Sequence, residues 1–222
     1  MSAYLGFIHY WLYNKIKLVA EREELVYHKA MEVCGEAAEE LRGQVWGTYG
    51  QPLPDRDLSE LIDPGNIHGW LQRQINAAET REAAFVHGLI ETCGDNATAA
   101  IKEVFAHHGR LCGKHASEQG KYEAASAEGI YKAFTDYFLN GMPCDQNTAL
   151  VASTSEQVIW EGAGCSKQKN WSRAGIAVPL MRSFYLEWMK GFVEGLNPAF
   201  THRLIADTFT GNAANRHEIA KI

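Results

Sequence analysis

Apolar residues recur at three- and four-residue steps from the start of the chain, at Leu5, Ile8, Leu12, Ile16, Val19, Leu25 and Val26. That spacing places them on one helical face and predicts a helix from Tyr4 to about Val45. Its polar face carries Lys15, Lys17, Glu21, Arg22, Glu24, Glu36, Glu39 and Glu40. Gly47, Gly50, Pro52 and Pro54 follow closely and end it. Residues 55–62 hold a turn or two, closed by Asp63-Pro64-Gly65.

Three more helices are expected before residue 140. Asn66 caps one that runs through Trp70, Ile75, Ala78 and Phe85 to about Thr92, where Gly94 closes it. A second spans Ala97 to Ser117, and a third Tyr122 to Leu139 across Gly129. Asn140-Gly141-Met142-Pro143 is a strong stop, and it divides a helical part, residues 1–143, from a mixed part, residues 144–222. In the mixed part, Ala149 to Thr154 and Gln157 to Glu161 read as strands. Helix resumes from about Val178, with Pro179 in its first turn, to Gly195, and Asn197-Pro198 stops it. Leu204 to Phe209 and His217 to Ala220 are then strands joined across Gly211-Asn212. The predicted fold class is α+β: an amino-terminal helical bundle followed by a small antiparallel β-sheet packed on a long helix, in strand-strand-helix-strand-strand order, as one compact unit. No internal repeat stands out.

The chain has 222 residues, of which 46% are hydrophobic and 22% charged, the balance of a globular protein with one core. A net charge of -6 with scattered Lys and Arg leaves no footprint for nucleic acid. The aromatic amino terminus lacks the basic start and small-residue cleavage site of a signal peptide. No apolar run reaches the roughly 20 residues of a membrane span. Five cysteines without a C-x-x-C pair read as free thiols in a reducing compartment, which implies a cytoplasmic location. The aromatic-rich first helix suits a homodimer contact.

Absent motifs remove several chemistries. No Glu has a His three residues later, as a helical di-iron site requires. H-E-x-x-H, the P-loop, G-x-S-x-G and G-x-G-x-x-G are missing too. His108, Cys112 and His115 share a helix face, but His108 and His115 stand about 10 Å apart along the axis, too far to grip one ion. Neither a metal nor a cofactor is expected. Cys165 follows the second strand in Gly162-Ala163-Gly164-Cys165-Ser166, which suits a nucleophile or a pocket wall, with a buried inert thiol as the alternative. His202, Asp207 and His217 lie in the last strands, where two that converge could hold and deprotonate a water; otherwise they are surface residues. Phe184, Tyr185, Trp188 and Phe192 form an aromatic run that is either core or a ligand-stacking wall.

The order of a strand leading to Cys165, then Trp171, a helix, Gly195-Leu196-Asn197-Pro198, a strand, and Gly211-Asn212 before a last strand resembles the family of L-2-amino-thiazoline-4-carboxylic acid hydrolases. The stretch Phe105-Ala106-His107-His108-Gly109-Arg110-Leu111-Cys112-Gly113 is similar to the Gly-containing helix before that layout, so the resemblance covers residues 95–222. It departs at Asn215, where members usually carry a Cys. The resemblance implies a hydrolase that opens a cyclic C–N bond with water. Cys165, His202 and His217 are then the expected reacting groups, and Arg173, Arg182, Phe184 and Trp188 the expected substrate-binding ones. The same layout also resembles vinyl-reductase-like and hydrocarbon-sensor domains, which implies a non-catalytic binder of a small apolar ligand instead.

Overall fold

The computed structural model describes residues 5–145, 148–162 and 165–222. The predicted first helix is two: α1 (Phe7–Cys34) and α2 (Glu36–Tyr49), separated at Gly35, whose φ of 59° and ψ of -139° interrupt the helical path. A short α3 (Leu58–Leu61) is capped by Asp57 and leads to α4 (Ile67–Glu118), which Asn66 caps by accepting from the Gly69 N–H. Gly94 breaks α4 with φ 62° and ψ -140°, nearly the conformation of Gly35.

The two breaks share a local sequence, Glu32-Val33-Cys34-Gly35-Glu36 and Glu91-Thr92-Cys93-Gly94-Asp95. Their cysteines are bonded to each other, with Cα atoms 6.0 Å apart across 59 positions of sequence. This corrects the expectation of five free thiols: Cys112, Cys144 and Cys165 are free, and Cys34 and Cys93 are not. A loop of that length gives a crosslink worth about 4 kcal/mol through the restricted unfolded chain. Replacing both cysteines by serine is expected to lower the urea-unfolding free energy by that order, and reduction of the wild type should reproduce the loss. Equal stability of the oxidised and reduced proteins would contradict it.

α5 (Ala127–Tyr137) starts later than expected because Ser126 caps it, its Oγ accepting from the Gly129 N–H at 3.1 Å. The carboxy-terminal part runs β1 (Ala149–Ser153), β2 (Gln157–Gly162), α6 (Gln168–Arg173), α7 (Val178–Leu196), β3 (Phe200–Ala206) and β4 (Asn215–Lys221). Its four strands form one antiparallel sheet in the order β1-β2-β4-β3. The third strand lies upstream of its predicted place. Asp207 accepts from the Phe209 N–H and opens a 3-10 turn over Thr208–Thr210, which removes those residues from the strand. The short α6 was not expected.

α4 and α7 cross with their backbones nearly touching. A Cβ at Gly109 would stand 2.2 Å from the Trp188 carbonyl oxygen, and one at Gly113 would stand 2.1 Å from that of Phe192. Gly191 and Gly195 meet Ala106 and Arg110 in the same way from the α7 side. One apolar cluster unites Val26 of α1, Phe105 of α4, Phe134 of α5, Phe184 and Trp188 of α7, and Ile219 of β4, so the helical and mixed parts share a core. A second cluster joins the first half of α1, through Leu12 and Ile16, to Leu71, Ile75 and Met142. Among the described residues, no helix is long and apolar enough to cross a membrane.

Candidate functional site

A cavity of about 470 Å³ opens where α1, α5, α6, α7 and the sheet meet. Tyr131 and Phe134 of α5 and Phe138, which caps its carboxy-terminal end, form one aromatic wall. Trp160 of β2, Trp171 of α6 and Tyr185 of α7 supply the facing surfaces. The volume is in the range of small-molecule sites.

Lys15 lines this cavity from α1 and is 3% exposed, although charge patterning placed it on the solvent face. Four residues after Trp11, it lies beside that ring on the helix, with Nζ 3.2 Å from the ring centroid. The ring is itself fixed by its Nε1–H, which donates to Asp136 Oδ1 at 2.9 Å. Among the described residues the Lys15 amine has neither a hydrogen bond nor an ion pair. Burial pushes it down to about 7; Asp136 opposes that shift and Lys167 adds to it.

The other cations at the cavity are paired. Lys167 donates to Glu79 Oε1 at 2.7 Å and to the Leu139 carbonyl, while Asn170 donates to the second Glu79 oxygen. Arg182 donates from Nη2 to Asp207 Oδ2 and from Nη1 to Asn215 Oδ1. Hydrogen bonding to Arg182 holds the Asp207 carboxyl below its usual range. Asn215 thus ties α7 to the β3–β4 connection by accepting from Arg182 and from the Thr208 N–H and hydroxyl. Two donors in the wall, Arg182 Nε–H and Trp171 Nε1–H, are buried with no protein acceptor among the described residues. A buried donor left unmatched costs about 1–3 kcal/mol.

On the sheet side, Trp160 and His217 are direct cross-strand partners, and their rings stack with centroids 5.3 Å apart. His217 reaches the cavity, and its Nδ1 is 3.0 Å from Nε2 of His202, which is buried behind it. Burial pushes His217 down to about 4; Arg182 pushes it the same way and Asp207 opposes. Burial likewise holds His202 well below the usual imidazole range, with His217 adding to it. Both rings are neutral near pH 7, so one can accept a proton while the other orients it.

Of the expected reacting groups, Cys165 and His217 line the cavity and His202 supports the latter. Burial raises the Cys165 thiol, while the nearby Lys167 pulls it back, so at neutral pH it is a protonated wall group rather than a thiolate. Ala163 and Gly164 of its loop lie outside the described residues. Of the expected binding groups, Arg182 is at the cavity and Arg173 is exposed at the end of α6. Phe184 and Trp188 are each 1% exposed and belong to the core. Trp188 instead donates from Nε1 to His108 Nδ1 at 2.8 Å. His108 is pushed down to about 3 by burial, with Arg22 and His107 adding to it, and burial raises Cys112 to about 12. His115 faces out and pairs with the Tyr137 hydroxyl. No group of three metal-ligating side chains occurs among the described residues.

His108, His202 and His217 are neutral in the fold but take up protons below about pH 6.5 when unfolded. The unfolded state therefore binds more protons in that window. The stability that these three rings contribute is expected to be full above pH 6.5 and to fall continuously as the pH drops toward 4. Urea midpoints at about pH 7 and about pH 5 check this, and a midpoint unchanged or higher at the lower pH would contradict it.

No protein-family model, curated protein or solved structure matches the chain.

Proposed function

We propose that the cavity binds a small ring-containing organic anion, such as an aromatic or heterocyclic carboxylate. The observation that carries this reading is the Lys15 amine, buried in an aromatic-walled chamber without a carboxylate of its own. No Asp or Glu lines the cavity among the described residues, so nothing there repels an anion. Flat rings fit between Phe134, Phe138 and Trp160, where stacking adds to burial. Trp11, Trp160 and Trp171 make intrinsic fluorescence the readout. Titration with 4-(hydroxymethyl)benzoate is expected to quench it, with affinity at least about tenfold better than for benzyl alcohol, or about 1.4 kcal/mol. Lys15→Met should remove most of that preference. Equal weak binding of both compounds would end the proposal.

A second reading, the ring-opening hydrolase implied by the family resemblance, is favoured by the His217–His202 pair at the wall. There neutral His217 takes a proton from water as it adds to the cyclic C=N carbon, then returns it to the ring atom that departs as its bond to that carbon breaks, while Lys15 or Arg182 holds the carboxylate. Cys165 is a wall contact on this reading. Incubation with L-2-amino-thiazoline-4-carboxylate should yield the carbamoylated cysteine. His217→Asn should abolish turnover while keeping ligand quenching; turnover surviving the change would remove His217 from the reaction.

Two coarser expectations are also proposals. A homodimer through α1 draws on Phe7 and Ile8, which are 78% and 40% exposed, and gel filtration decides it. A cytoplasmic location has three free thiols for it and the Cys34–Cys93 bond against it; alkylation of the protein in intact cells counts the thiols.

A further inference from the structure

We infer that Lys15 is a carbonyl-reactive amine, which forms a reversible imine with a ring-bearing aldehyde or ketone that also carries a carboxylate. This deepens the small-molecule reading of the same cavity and rests on it: a ligand without a carbonyl places its carboxylate at Lys15, whereas one that reacts there turns its carboxylate toward Arg182, the cation on the α7 side of the cavity. The contrast with the other buried cations is the starting point. Arg22 is paired with Glu82, Arg81 with Glu23 and Lys167 with Glu79, each at 2.7 Å. Lys15 is as buried as these and has no carboxylate partner. The charged groups that bear on it are Asp136 of α5, which is already engaged with Trp11, Tyr122 and Lys121, and Lys167, which is engaged with Glu79.

A cation without a counter-ion in a low-dielectric wall is destabilised relative to the neutral amine. Only the neutral amine has a lone pair to add to a carbonyl carbon. The Trp11 face holds Lys15 Nζ 3.2 Å from its centroid at the cavity, and the reacting partner meets that amine rather than Lys167, which is held by two acceptors. Attack of Nζ on the carbonyl carbon gives a carbinolamine. The two amine hydrogens then leave with the carbonyl oxygen as one water, and a C=N bond replaces the C=O bond. No oxidant or reductant is involved.

The test is reductive trapping of the full-length protein with 4-carboxybenzaldehyde and sodium cyanoborohydride at about pH 7, read by intact mass and peptide mapping. The expected result is one benzyl adduct, at Lys15, formed at least about tenfold faster than on the mean surface lysine because of its larger neutral fraction. Lys15→Arg keeps a cation and Lys15→Met keeps the stem; both should lose that adduct, with far-UV circular dichroism confirming their fold. Trapping spread over surface lysines, or an undiminished adduct in folded Lys15→Met, overturns the inference. 4-(Hydroxymethyl)benzoate, which has the same ring and carboxylate without the carbonyl, separates the two levels. Binding of this compound without trapping of the aldehyde overturns the imine alone, whereas failure of both overturns the cavity reading with it.

Discussion

Gly113→Ala is expected to destabilise the protein by about 3 kcal/mol or more, and Gly109→Ala by a similar amount. The added methyl would lie 2.1 Å from the Phe192 carbonyl oxygen and 2.8 Å from the Leu196 amide nitrogen. These are backbone atoms of α7, so no rotamer change relieves the clash and the helices must separate. Separation opens the contact that holds Trp188 against His108 and Phe184 against Phe105. Gly43→Ala in α2 is the control, because nothing lies within 4 Å of its added Cβ and alanine is the better helix former by about 0.5–1 kcal/mol. Chemical unfolding of the three variants should therefore give changes of opposite sign. A Gly113→Ala protein as stable as wild type would refute the close crossing.

Arg22→Met should cost about 3–5 kcal/mol, as expected when one member of a buried ion pair is removed. Arg22 Nε and Nη2 both donate to Glu82, at 2.7 and 3.0 Å, and Glu82 is 1% exposed. Its guanidinium also lies 4.7 Å from the centroid of Phe105 and donates to the Tyr185 hydroxyl, which in turn donates to Glu82. With Arg22 gone, the carboxylate keeps the Tyr185 donor but sits uncompensated in the core. Adding Glu82→Gln to Arg22→Met should recover part of the loss. A double-mutant cycle measures the coupling, and additive effects would show that the two groups do not interact.

What the sequence made legible was local. Asn66 as a cap, Pro179 in a first helical turn and the apolar spacing of α7 each depend on residues within a turn or two of one another, and all three appear as expected. The helix break at Gly35 was not legible, because one Cys-Gly pair inside a long amphipathic run does not outweigh its neighbours. The echo at Cys93-Gly94, together with the disulfide, identifies it only once α1 and α4 lie side by side. β3 was placed too late because Leu204 to Phe209 is rich in apolar residues, whereas the buried positions are Phe200 and His202 at the two-residue spacing of a strand.

The site divides in the same way. Cys165, Arg182 and His217 reach the cavity because each comes from an element that the pattern located, whereas Phe184 and Trp188 sit on the α7 face that packs against α4. Lys15 escaped notice because a lysine is assigned to solvent by its charge. Its position, three residues after Leu12 and four before Val19, nevertheless places it beside the apolar stripe. Glu79 and Lys167 pair across 88 positions, and no local pattern links them.

If the aromatic chamber takes a small carboxylate at the unpaired Lys15 amine, the indole N–H signals of the six tryptophans report it residue by residue. In a titration with 4-(hydroxymethyl)benzoate followed by nuclear magnetic resonance, the signals of Trp11, Trp160 and Trp171 should move together and saturate. Those of Trp46 and Trp188, engaged with Glu23 and His108, should stay in place. No movement, or equal drift of all six without saturation, would contradict the claim.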